Sequence, residues 1–291
     1  MGTSNSYGGQ HGGSLIPSWL GGAGGSPAPD QGGNDGDSPD EDGLPPGPPP
    51  APPPREPPQP VPLHQFTRSR TNFTRFAKSG GQDRRTLGKA VSGYVSGAAG
   101  GHRQAAQRMG ASRTATATLV NFLSASRSRG IVEALREIRL ENLAGRPIEE
   151  IFIGLADYVC PEGGTVDEGI ARNAFVETIA DLAELGITDL DSLSVDQMQT
   201  VLELYATHAI EARLCNDIGI KIAVAPNDLQ AFNRVHEQLH DFILRAVSDA
   251  LTRARQTLES LAPARTLQFV EHIYTEAFRI LQSLGDQEAA A

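Results

Sequence analysis

From residue 110 almost to the C-terminus, Leu, Ile, Val and Ala recur every three or four positions, the period of a helix with one buried face. The spacing predicts helices over residues 112–126, 131–140 and 147–158, the last with Pro147 at a first helical position, where its missing N–H costs nothing. Two capping boxes mark firmer starts. Thr165 stands three residues before Glu168, ahead of a helix to about Leu185 that Gly186 stops, and Ser194 stands three before Gln197, ahead of a helix to about Asn216. A long helix capped by Asn227 runs to about Leu261, and a last one spans residues 265–284. The stretch IGIKIAV, 218–224, reads as a short strand or an extended linker. Period-two alternation is scarce elsewhere, so the fold class is all-α: a multi-helix domain.

The upstream third has a different texture. Residues 63–129 form a basic, Gly-rich helical segment. Between His64 and Arg129 twelve Lys and Arg face one acid, Asp83, whereas Gly130 to Ala291 carries twelve bases against 27 acids. The chain's net charge of −10 therefore hides two blocks that attract each other. Mutual pairing is one reading of the basic block; a surface for nucleic acid, through Arg84, Arg85, Lys89, Arg103 and Arg108, is the other. Phe66, Phe73 and Phe76 alternate with Arg68, Arg70, Arg75 and Lys78, a pattern that favours docking on the folded domain with the arginines in water. Gly93, Gly97 and Gly101 recur every four residues and predict a small-residue stripe for close helix approach.

Ahead of this block the chain cannot build a core. Residues 21–62 are an acidic, then polyproline linker, the second part a polyproline II spacer of about 3 Å per residue. Residues 1–20, MGTSNSYGGQHGGSLIPSWL, are rich in Gly and Ser yet hold the sole tryptophan of the chain, Trp19. Ile16 and Trp19 offer surface of the kind that anchors a peptide in a partner's groove, so the disordered Gly/Pro-rich tail reads as a presented peptide. Removal of Met1 leaves the unhindered amine of Gly2, with Thr3, Ser4, Tyr7, Gly8 and Gly9 around it. MGTSNS also fits the loose myristoylation pattern, but no polybasic patch follows.

Candidate chemistry in the folded part is sparse. Cys160 and Cys215 stand apart without CxxC spacing, which suits buried thiols in a reducing cytosol. No signal segment and no apolar run near twenty residues is present, so neither secretion nor membrane spanning is expected. His236, Glu237 and His240 spell HEQLH, the HExxH pattern in which two histidines bind zinc and the glutamate activates water, with Glu259 and Glu271 as downstream candidates for a third ligand. On a helical wheel the two histidines border the apolar arc of Phe232, Val235, Leu239, Ile243 and Ala246, which favours boundary residues of a helix pair. His11, His64, His102, His208 and His272 show no ligand spacing with one another. No metal and no cofactor is expected.

The start MGTSNSYGG with SLIPSW, the acidic Pro-rich linker, and RRTLGKAVSGYVSGAAGGHRQAAQRMGASRTA ahead of an acidic helical domain at residues 130–285 together resemble the QatB family of the bacterial Qat anti-phage defence system. The resemblance implies a cytoplasmic, non-enzymatic defence component encoded beside a P-loop ATPase (QatA), a QueC-like enzyme (QatC) and a TatD-like nuclease (QatD). QueC-type enzymes use ATP to act on a deazaguanine carboxylate, so the resemblance makes the tail a docking peptide or modification substrate for that partner. A nucleic-acid-binding adaptor working through residues 64–129, and an HExxH zinc protein, are the alternatives.

Overall fold

The computed structural model describes residues 65–161, 163–185, 194–219 and 229–291, apart from the side chain of Glu259, and among them it contains ten α-helices and no strand. The helices are α1 (Thr67–Lys78), α2 (Arg84–Gly93), α3 (His102–Gln107), α4 (Gly110–Arg129), α5 (Ile131–Glu137), α6 (Ile148–Val159), α7 (Val166–Glu184), α8 (Val195–Asp217), α9 (Leu229–Glu259) and α10 (Thr266–Ala290). All lie in one compact unit. The chain is all-α, and no helix of the described residues is long and apolar enough to cross a membrane.

Local chemistry sets the helix starts. Both capping boxes form: Thr165 Oγ1 accepts from the Glu168 amide at 3.2 Å while the Glu168 carboxylate accepts from the Thr165 amide at 2.9 Å, and Ser194 and Gln197 do the same at 3.1 and 2.9 Å. Asp83, the one acid of the basic segment, caps α2 by accepting from the Thr86 amide at 3.1 Å. Asp167 caps at a distance, its carboxylate taking the Ala111 amide at the start of α4 at 2.8 Å.

The core is built from single faces. On α9 the buried residues Val235, Leu239, Phe242, Ile243, Ala246, Val247, Ala250, Leu251, Ala254 and Leu258 keep strict three-four spacing. That stripe packs against α8 and α10. Helix α10 is the hub: it also packs on α2, α3 and α4, burying Phe269, Tyr274, Phe278 and Leu281. The basic segment thus shares its core with the acidic one, and Phe66, Phe73 and Phe76 are buried while Arg68, Arg75 and Lys78 of α1 stay exposed.

Several local expectations change. Gly93, Gly97 and Gly101 do not form one stripe, because α2 runs into a π-helical turn at Tyr94–Ala98, where the Ala99 amide reaches back five residues to the Tyr94 carbonyl at 2.7 Å. A Cβ at Gly97 or Gly101 would touch nothing within 4 Å. The close helix approach lies elsewhere, at Gly88 on α2 and Gly285 on α10, where an added Cβ would fall 2.6 Å from the Gly285 carbonyl oxygen or 2.8 Å from that of Gly88. Helix α5 ends at Glu137, earlier than the apolar spacing suggests. Arg139 takes the left-handed region, φ 62°, and the Leu140 amide turns back to the Leu135 carbonyl at 2.9 Å. Pro147 occupies the N-cap rather than the first turn of α6. Asn227 and most of IGIKIAV lie outside the described residues.

Candidate functional site

The tail residues Gly2, Thr3, Ser4, Tyr7, Gly8, Gly9, Ile16 and Trp19 lie outside the described residues, as do His11 and His64. Two clusters of charged groups stand out among the described residues.

The first joins the basic segment to α8. Asp217, 7% exposed at the end of α8, accepts from the Tyr94 hydroxyl at 2.8 Å and lies 3.3 Å from Arg108 Nη2 and 3.4 Å from Arg213 Nε. Arg70 Nε donates to the Asp217 backbone carbonyl at 2.9 Å. Phe66 closes the cluster, stacked on Tyr94 with ring centroids 5.6 Å apart and with the guanidinium groups of Arg70 and Arg108 over its face. Burial, then the Asp217 charge, push the Tyr94 phenol above its ordinary range, so it remains a donor at any physiological pH. Arg213 also pairs with Asp167 at 3.2 Å, so each arginine of the cluster meets a carboxylate or a backbone carbonyl, the arrangement of a structural clamp. The buried Nε atoms of Arg108 and Arg213 make no hydrogen bond.

Of the five basic residues singled out from the sequence, three are engaged internally. Arg108 belongs to that clamp, Arg84 pairs with Glu288 of α10 at 3.2 Å, and Arg85 Nε donates to the Ala289 carbonyl at 3.2 Å. Lys89 and Arg103 are exposed. Lys89 instead lines an open groove of about 770 Å³ with Arg68 and Arg75 of α1 and with Ser92 and Ser96 near the π turn.

The second constellation contains HEQLH. Helix α9 carries His236 and His240 along its border with α8, half-buried beside the stripe that Val235 and Leu239 bury, while Glu237 is exposed. Glu211 of α8 lies between them: its Oε2 is 3.0 Å from His240 Nδ1 and its Oε1 is 3.5 Å from His236 Nδ1. His208, one turn earlier on α8, has its ring centroid 5.2 Å from that of His240, and its Nε2 is 2.7 Å from Asp181 of α7. Burial tends to raise the Glu211 carboxyl, but the bonds from His236 and His240 prevail and hold it at about 2. The bond to Glu211 raises His240, against the opposing effect of burial. Glu271 lies elsewhere, 3.6 Å from Arg113.

Sequence reasoning set His208 aside for want of ligand spacing and missed Glu211, Asp181 and Asp217. The signal for the first two was a His and a Glu three apart on a helix, matching in period the pair four apart on α9. Burial pushes the Cys160 thiol up to about 11 and that of Cys215, half-buried beside the groove, up to about 12, away from the thiolate form.

A family model described as the Qat anti-phage system associated protein QatB matches residues 100–281. No curated protein and no solved structure matches the chain.

Proposed function

The chain belongs to the QatB family of the Qat anti-phage system, and from that membership we propose that it works as a non-catalytic component presenting its N-terminal tail to a QueC-like enzyme of the same system. The observation that carries this reading is the composition of the tail: one tryptophan, Trp19, and Gly2 after the initiator Met in a Gly- and Ser-rich stretch, joined to the helical body by an acidic and polyproline linker. The matched segment is residues 100–281, so the role of the tail is argued from its own residues.

After loss of Met1 the α-amine of Gly2, with an ordinary pKa of about 8, is substantially neutral near pH 7.5 and nucleophilic. A QueC-like partner that activates a carboxylate with ATP could transfer the acyl group to this amine, forming an amide as the activating group leaves. Ile16 and Trp19 hold the peptide in the partner's groove, and the linker supplies reach. The paired charges of the Tyr94 and Asp217 clamp support a scaffold role for the body. The P-loop ATPase and TatD-like nuclease are further partners in this proposal, and the setting is cytoplasmic.

Intact-mass measurement of the protein made with and without its neighbouring enzymes tests the reading. A mass increment confined to the N-terminal peptide is expected when the QueC-like enzyme is present; an unchanged peptide overturns conjugation. A second reading, nucleic-acid binding, is favoured by the groove in which Arg68, Arg75 and Lys89 converge.

A further inference from the structure

Three helices bring their imidazole and carboxylate groups to one half-buried place that the proposed function leaves unused. We propose that His208, Glu211 and His240 form a binding site for one divalent transition-metal cation, with zinc the best match to two imidazoles and a carboxylate.

The geometry supports the set. One ligand atom from each of the three residues lies within 4.8 Å of the other two. Around a tetrahedral zinc with bonds of about 2.0–2.1 Å the ligand atoms stand about 3.3 Å apart. His240 Nδ1 and Glu211 Oε2, at 3.0 Å, already stand near that separation, and a ring nitrogen of His208 lies within 4.8 Å of both residues' ligand atoms. Asp181, 2.7 Å from His208 Nε2, supplies a carboxylate that orients the ring, the arrangement usual behind metal-bound histidines.

Electrostatics point the same way. The residues open onto a groove of about 500 Å³ whose lining includes Glu177, Glu237 and Asp241 and carries no Lys or Arg. Such a lining favours a cation and disfavours an anion. Before the cation arrives, His236 and His240 share Glu211 between them. Binding replaces a proton by the metal, so affinity falls with acid. The groove leaves solvent access to the cation.

This set differs from the zincin reading of HEQLH. A zincin takes both histidines of the motif and uses its glutamate on the bound water. Here His208 of α8 takes the place of His236, and Glu237 is not a ligand. The site ties α8 to α9 and is independent of the tail.

The test uses the full chain, stripped with a chelator and titrated with zinc chloride against a chromophoric competitor. One equivalent should bind. His208→Ala, Glu211→Gln and His240→Ala should each weaken binding at least about tenfold, whereas His236→Ala and Cys215→Ala should stay within about threefold. Melting curves without zinc identify any variant that fails to fold, and the wild-type stoichiometry stands without the variants. Less than half an equivalent on the wild type overturns the proposal. So does retention by His208→Ala together with loss by His236→Ala, which marks the zincin set, or loss by Cys215→Ala, which marks a thiolate site.

Discussion

The Tyr94 hydroxyl donates to the Asp217 carboxylate at 2.8 Å, across the seam between the basic segment and the acidic helices. Because Asp217 is buried and also faces Arg108 and Arg213, it neutralises two cations that have lost much of their water. Removing it strands Arg108, while Arg213 keeps Asp167 at 3.2 Å. Asp217→Ala should therefore cost about 3–5 kcal/mol, and Tyr94→Phe, which loses one hydrogen bond to a charge, about 1.5–3 kcal/mol. Urea unfolding of the two variants checks the order. A loss below about 1 kcal/mol for Asp217→Ala would show that the seam is held by apolar packing alone.

The approach of Gly88 to Gly285 makes a second expectation. With carbonyl oxygens under 3 Å from where a Cβ would stand, neither helix can accept alanine without moving apart, and backbone yields less readily than a side chain tip. Gly88→Ala or Gly285→Ala should destabilise by about 1–3 kcal/mol through overpacking. Gly97→Ala meets open space and should be neutral or stabilising by up to about 1 kcal/mol. Thermal melting separates the cases, since about 1 kcal/mol moves Tm by roughly 2–4 °C in a domain of this size. Equal effects at Gly88 and Gly97 would contradict the assignment.

These two sites also show what the sequence makes legible. Thr165 with Glu168 and Ser194 with Gln197 could be read because a capping box is complete within four residues. The apolar stripe of α9 could be read because its period is local. Gly88 and Gly285 could not, since a close approach depends on which helices pair, and periodicity says nothing about pairing. The regular spacing of Gly93, Gly97 and Gly101 misled for a related reason: the π turn at Tyr94–Ala98 inserts a residue and rotates the face. His208 was passed over because its partner His240 sits on another helix, while HEQLH drew the eye to His236 on the same one.

Stability of the metal-free protein should depend on pH through Glu211 and His240. The carboxyl of Glu211 is held at about 2, so its contribution is full above the unfolded value of about 4.3 and fades as pH falls toward 2. His240 is raised, so its contribution is full below the unfolded value of about 6.5 and is lost as pH climbs through the higher folded value. The combined gain is greatest between about pH 4.5 and 6.5. Asp181 and Asp241 add to the rise of His240, and His208, Glu177, Glu237 and Cys215 share the groove. The Tm difference between wild type and Glu211→Gln, measured with chelator present, should peak inside that window at roughly 2–4 °C. A difference that stays level from pH 3 to 9 would remove the pair from the account.

Charge reversal separates fold from recognition in the basic segment. Arg108→Glu sets a carboxylate against buried Asp217 and takes a cation from the face of Phe66, so it should unfold the chain or cost about 3–5 kcal/mol. Lys89→Glu and Arg75→Glu alter exposed positions on the groove and should leave stability within about 0.5 kcal/mol. Binding to a short DNA duplex, followed by fluorescence anisotropy over a salt series, then has a clear meaning. Should the segment serve nucleic acid, each of these two substitutions weakens binding across sequences and lowers the salt slope by about one. Should the wild type not bind at low salt, the cationic groove is open to an acidic protein partner, and the arginines that pair with Asp217 and Glu288 have only the fold to answer for.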